Sequence, residues 1–184
     1  KVKDGEVVKD GNNLPNNELQ PTSFQWNNKN FNANYGGLPK NVRLHVMPRL
    51  YQTLPLYSTL GTTGIYVYAK DHDVKGHTAT IHAESQVRNE TGKPQQVTYK
   101  VEVVDHQTGQ SLATFQSSQQ TIGKGETTIL SAEHHVEGLK FWSWGYGYLY
   151  DVKTTLITET GDKSLQSEAV TTTGFRKTEF RNGQ

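Results

Sequence analysis

From Thr62 onward, apolar and polar residues alternate almost one by one, and this period of two limits the fold more than any other feature of the chain. Seven stretches carry it: TTGIYVYAKD from Thr62, HTATIHAESQVRN from His77, QQVTYKVEVVD from Gln95, SLATFQSS from Ser111, ETTILSAEHHV from Glu126, GYLYDVKTTLITE from Gly147 and LQSEAVTTTGF from Leu165. Each is rich in Val, Ile, Thr, Tyr or Phe, residues that suit a pleated, half-buried surface. Turn-forming segments separate several of them: NETGKP from Asn89, DHQTGQ from Asp105, GKGE from Gly123 and TGDK from Thr160. No window repeats apolar residues at helical spacing over three turns. The pattern predicts an all-β, antiparallel sandwich of about seven strands.

Alternation also assigns faces. Ile81, Ala83, Ser85 and Val87 point to one side and His82, Glu84, Gln86 and Arg88 to the other, which makes His82 a solvent-side strand residue. Tyr99, Val101 and Val103 form the buried side of the next strand in the same way. Upstream, VRLHV from Val42 reads as one short strand. Residues 1–40 differ: the run from Gly11 is crowded with Asn, Gly and Pro, yet it holds Phe24, Trp26, Phe31 and Tyr35. Those rings are too many for a disordered linker, so the segment reads as an irregular flap that needs a surface to lie on.

Several chemistries fit poorly. With 19 Lys and Arg against 18 Asp and Glu, the chain has no general electrostatic attraction for nucleic acid or an acidic membrane. No stretch is long and apolar enough to span a bilayer, and there is no cysteine for a disulfide framework or a thiol nucleophile. His134 and His135 are adjacent, so a strand points them to opposite faces and away from a shared metal. Asp71 and Asp73 lack the spacing of an oxygen-ligand loop and read as a solvated turn. No metal or other cofactor is expected. Glu84, Glu102, Glu126, Glu133 and Glu159 are carboxylates of the type a glycosidase pairs, but they sit in or beside polar-out patterns.

The aromatic run FWSWGYGYLY, Phe141 to Tyr150, is the strongest candidate for function. Tyr146, Tyr148, Tyr150 and Val152 define one face of a strand, and Gly145 marks a bend after Trp142 and Trp144. An RNA-reading surface would interleave its rings with Lys or Arg, and this run has none. Carbohydrate stacking ranks above that use, and burial against a neighbouring domain ranks above both, because Tyr and Trp suit partly wet interfaces.

The same run carries a resemblance. VEGLKFWSWGYGYLYDV and the later TTTGFRK resemble the end of the immunoglobulin-like second domain of glycoside hydrolase family 2, with Leu139, Trp142, Leu149, Tyr150, Gly174, Phe175 and Arg176 on its pattern. The proline usual before Leu-Tyr is absent, its place taken by Gly147 and Tyr148. NYGGLPKNVRLHV, from Asn34, looks like the family's preceding junction, with Lys40 in place of the usual arginine. The resemblance implies that residues 1–46 are the tail of a sugar-binding-like jelly roll, 47–180 an immunoglobulin-like β-sandwich and 181–184 the start of a catalytic barrel.

Start without Met at Lys1 and the abrupt end at Gln184 agree with a piece of a longer chain. The parent is then expected to be a retaining β-galactosidase-like enzyme, periplasmic or secreted, whose two glutamates lie in the barrel. This piece is expected to be noncatalytic, a scaffold whose partners are that barrel and the jelly roll; an independent carbohydrate-binding module is the alternative. Trp142, Trp144, Tyr146, Tyr148 and Arg176 are the expected domain-interface residues. Trp26, Asn30, Asn32, Asn34 and Tyr35 are the residues expected to reach the parent's substrate pocket.

Overall fold

Alternating strands bury one face only when a second sheet covers it, and the computed structural model of the chain meets that demand with two antiparallel sheets. The structure describes residues 44–54 and 62–178 with their side chains, and the backbone of 2–3, 6–9 and 12–14. The chain divides into two units, Lys1–His45 and Val46–Gln184.

In the first unit, β1 (Val2–Lys3), β2 (Glu6–Lys9) and β3 (Asn12–Leu14) pair in sequence as an antiparallel meander. Of these strands only β3 lies within the run from Gly11 expected to be an irregular flap. The partners Lys3↔Glu6 and Lys9↔Asn12 enclose Asp4-Gly5 and Asp10-Gly11, and Asp-Gly between short strands is a strong hairpin signal that alternation alone passes over. The remainder of the expected flap, including Trp26, Asn30, Asn32, Asn34 and Tyr35, lies outside the described residues. Leu44–Val46, the described part of the expected VRLHV strand, has no regular structure.

The second unit is the sandwich. Its strands are β4 (Leu50–Gln52), β5 (Ile65–Asp73), β6 (Thr78–Asn89), β7 (Gln95–Asp105), β8 (Ser111–Gln116), β9 (Gln120–Ile122), β10 (Thr127–Val136), β11 (Tyr150–Thr158) and β12 (Glu168–Thr173). In one sheet β6 is central, with β10 along one edge and β5 and β4 sharing the other. In the second the order is β12, β11, β7, with β8 and β9 sharing the outer edge of β7. All seven alternating stretches form strands; β4 and β9, three residues each, are too short to show a period.

The faces follow the alternation. Ile81, Ala83 and Val87 of β6 and Leu130 of β10 share one core with Val97, Tyr99, Val101 and Val103 of β7 and Val152 and Leu156 of β11. Two buried polar clusters lock this core. Gln52 donates through Nε2 to the Thr154 carbonyl at 3.1 Å and accepts from the Thr154 hydroxyl at 2.8 Å, tying β4 of one sheet to β11 of the other. Asn89, fully buried, donates to the carbonyls of Lys93, Ile122 and Gly123 at 2.9, 2.9 and 3.1 Å and accepts from the Thr91 backbone and hydroxyl. That one side chain holds two turns at the end of the sandwich, with its donors and acceptor satisfied.

Candidate functional site

The segment leading into β11 and the segment leaving β12 meet at one edge of the second sheet. The Trp142 N–H donates to the Phe175 carbonyl at 2.7 Å. A Cβ on Gly174 would lie 2.9 Å from Trp142 Cδ1 and 2.9 Å from the Tyr148 carbonyl oxygen, so the close approach requires glycine. Phe175 is buried and stacks on Tyr150 with centroids 5.4 Å apart. Arg176 lays its guanidinium over the Trp142 ring, 5.5 Å from the centroid, a cation–π contact within the chain. Leu139 is buried, and its N–H donates to the His77 carbonyl at 2.8 Å. Residues of both sequence motifs thus build one seam.

Two tyrosines secure it from inside. The Tyr150 hydroxyl accepts from the Lys140 N–H at 2.7 Å and donates to the Lys140 carbonyl at 3.3 Å, pinning the entry to β11 to a point ten residues upstream. The Tyr148 hydroxyl donates to Asp105 at the end of β7 and accepts from Lys140 Nζ at 3.1 Å. That tyrosine hydrogen bond, with the Thr108 and Gln107 backbone behind it, holds the Asp105 carboxyl below the usual carboxylate range, and the same hydroxyl raises Lys140 above its ordinary value. Tyr148, grouped from sequence with the expected interface residues, is 2% exposed in this chain, because Asp105 captures its hydroxyl and Tyr150 flanks its ring.

What remains outside is the tip. Ser143 and Tyr146 exchange backbone hydrogen bonds of 3.0 and 2.9 Å, with Gly145 at φ 79° between them. This tight turn holds Trp144 at 97% exposure and leaves Tyr146 49% exposed. Covering an indole removes about 150–250 Å² from water, worth roughly 4–6 kcal/mol before any ordering cost. Beside the turn lies a groove of about 500 Å³ whose lining includes Val74, Lys140, Phe141, Trp142, Tyr146 and Lys177.

His72 stands under this region and had no signal in the alternation. Between Lys70 and Asp73 the pairing of β5 with β6 slips by a bulge, and Asp71 takes φ 53°. The His72 ring then lies 5.5 Å from Phe141, and burial, followed by the charge of Lys177, keeps its pKa below the ordinary 6.5.

The other residues singled out from sequence stay apart from the seam. On the outer face of the first sheet, Glu133 accepts from Lys70 at 2.8 Å and from His82 at 3.0 Å, and Glu84 lies 3.4 Å from the same imidazole. The lysine and then the histidine lower Glu133, the reverse of what a general acid needs. His82 is more covered than a solvent-side residue, because Tyr68 packs on its ring at 4.8 Å. Glu126 accepts from the Gly123 N–H of its own turn, and Asp73 caps the turn at Lys75 and Gly76. Among the described residues, no three His, Asp or Glu converge as a metal site, and no helix is long and apolar enough to cross a membrane.

The family model for glycosyl hydrolases family 2 matches residues 63–176. A β-glucuronidase of Formosa agariphila is 29% identical over 131 residues, which is 71% of this chain and 13% of that protein. A solved β-glucuronidase from glycoside hydrolase family 2 superposes with a TM-score of 0.63 at 25% identity, over 71% of this chain and 13% of its own. Bacteroides uniformis β-glucuronidase 2 gives 0.58 at 22% identity, over 71% and 15%, a likeness of fold. The chain therefore spans a small part of the length of these relatives. With more than half of its residues matched by the family model, and the seam from Leu139 to Arg176 inside that match, the chain belongs to the glycosyl hydrolases of family 2.

Proposed function

We propose that this sandwich is a noncatalytic scaffold domain of a larger family 2 glycosidase, whose work is to hold neighbouring domains in register. The carrying observation is the seam. Its inner residues close the sandwich, while Trp144 and Tyr146 project from it as apolar surface that the sandwich's own core does not use. Trp142 and Arg176 support that surface by stacking on each other. On this reading residues 1–46 are the tail of a preceding jelly roll, and 181–184 lead into the catalytic barrel.

The parent's activity is retaining hydrolysis of a terminal β-glycoside by two glutamates of that barrel, in a periplasmic or secreted enzyme. The motif resemblance favours a β-galactoside. The relatives named β-glucuronidase add a β-glucuronide as the second substrate to assay. Trp26, Asn30, Asn32, Asn34 and Tyr35 remain proposed contributors to the parent's pocket.

The test compares the 184-residue chain with the full-length protein on nitrophenyl β-galactoside and β-glucuronide. Turnover by the full-length protein with retention, and none by the chain, is the expected result; turnover by the chain alone sinks the scaffold reading. The exposed Trp144 also suits a carbohydrate-binding module. Titrating the chain with galactose and a glycan panel, following tryptophan fluorescence, separates the two: saturable binding lost in Trp144→Ala decides for the module.

A further inference from the structure

The outer face of the second sheet holds a cavity of about 150 Å³ over Thr155 of β11. The ladder explains why a hollow forms there. Thr155 lies directly opposite Lys100 of β7 on one side and Glu168 of β12 on the other, so one short side chain stands between two long ones. Lys153, two residues back on the same face, lies opposite Glu102. Four long charged side chains therefore wall a floor made by a threonine, with Ile157, 37% exposed, as an apolar flank.

The charges of that wall are not engaged with one another. Lys153 and Glu102 are cross-strand neighbours of opposite sign, an arrangement that favours pairing. Yet among the described residues Lys100, Glu102, Lys153 and Glu168 make no ion pair and no side-chain hydrogen bond. Asp151, whose carboxyl Lys153 also influences, is already held by His106 at 2.8 Å and by Thr172 at 2.6 Å. On the first sheet, by contrast, Lys70 reaches Glu133 at 2.8 Å across the width of β6.

The chemistry of the lining selects the ligand. Ammonium groups only donate hydrogen bonds and carboxylates only accept them. Two of each cancel in charge, so neither an anion nor a cation gains overall. A phosphate or sulfate would serve the lysines and meet repulsion from Glu102 and Glu168. A hydroxyl both donates and accepts, and neighbouring hydroxyls on one ring can serve a lysine and a carboxylate together. The Gln166 amide adds a further donor and acceptor. At about 30 Å³ per water the cavity has the volume of about five waters, which suits one small ring and not an extended chain.

We propose that this hollow binds one pyranose ring of a neutral sugar, whose hydroxyls accept from Lys100 and Lys153 and donate to Glu102 and Glu168. Sugar held there leaves the scaffold role untouched, since none of the lining residues belongs to the Trp144 seam.

Titrating the 184-residue chain with methyl β-galactoside and with methyl β-glucoside, followed residue by residue in proton–nitrogen correlation NMR spectra, tests this. Saturable shifts are expected at the amides of Lys100, Glu102, Lys153 and Thr155 at millimolar sugar, as for a small open site. Lys153→Met and Glu102→Gln keep the size of each side chain, and circular dichroism melts check that each keeps the fold. Each should weaken binding about tenfold, the loss of one hydrogen bond to a charged group. Trp144→Ala should leave binding unchanged. No saturable shift at those amides with either sugar overturns the proposal, as do shifts that survive both substitutions. Shifts lost in Trp144→Ala place the sugar at the seam instead. Sodium sulfate or glycine that saturates the same amides at lower concentration than sugar reassigns the hollow to an anion or a zwitterion, and overturns it too.

Discussion

Replacing Gly174 by alanine probes the seam at its tightest point. The added methyl would lie 2.9 Å from the Tyr148 carbonyl oxygen, 2.9 Å from Trp142 Cδ1 and 3.0 Å from Trp142 Cβ. One of these contacts is backbone inside the sandwich and cannot give way cheaply. Overpacking of this kind costs about 1–3 kcal/mol. Gly174 is not among the glycines with positive φ, so alanine meets no backbone penalty and gains about 0.4–1 kcal/mol from a stiffer unfolded chain. The net expectation is a loss of about 1.3 kcal/mol, hence a fall in melting temperature of about 3–5 °C for a chain of this size. Circular dichroism melts of the 184-residue chain measure it. A double-mutant cycle with Trp142→Ala adds the specific test, because removing the indole takes away the Cδ1 contact and leaves those with the residue 142 Cβ and the Tyr148 carbonyl. The Gly174→Ala penalty should then shrink by about 0.5 kcal/mol. A Gly174→Ala chain that melts with the parent, or a penalty unchanged without Trp142, would refute the packing argument.

Two further substitutions test the polar framework. Asn89→Ala removes three donated and two accepted hydrogen bonds, although the Gly123 carbonyl keeps the Glu126 N–H and the Lys93 carbonyl keeps the Thr91 hydroxyl. A loss of about 3–4 kcal/mol is expected, visible as a lower urea midpoint at unchanged m-value; a midpoint shift too small to measure would contradict it. Tyr148→Phe removes the hydroxyl that holds Asp105 below its ordinary 3.8, so the Asp105 carboxyl should titrate closer to that value when followed by carbon-detected NMR. The sign follows from linkage. A carboxyl depressed in the folded state contributes stability above its unfolded pKa and loses it as the pH falls through the folded one, so stability should climb less steeply with pH in the acid range in Tyr148→Phe. Identical Asp105 titrations in the two proteins would exclude the hydroxyl as the cause.

The sandwich was legible because alternation is a local signal with a global meaning. Ile81, Ala83 and Val87 must share a face in any strand, and seven such strands find burial only by pairing two sheets. Elements too short to repeat the period several times escaped it: β4, β9 and the N-terminal meander, although Asp4-Gly5 and Asp10-Gly11 marked that meander in another way. His72 escaped because the bulge in β5 breaks the register on which the face assignment depends.

The aromatic run divides the two kinds of information most clearly. Its residues name a family pattern and an interface in the bare sequence, since Leu139, Trp142, Tyr150 and the Gly-Phe-Arg triplet at Gly174 occur in order. Which rings are buried was decided elsewhere in the chain. Asp105, more than forty residues upstream, captures the Tyr148 hydroxyl. Gly174 and Arg176, more than thirty downstream, close over Trp142. Trp144, two residues from Trp142, would share its face in a regular strand, but the Ser143–Tyr146 turn interrupts the alternation and sets it in solvent. Periodicity within a segment follows from bond geometry and can be read locally. The fate of a ring depends on partners that only folding brings within reach.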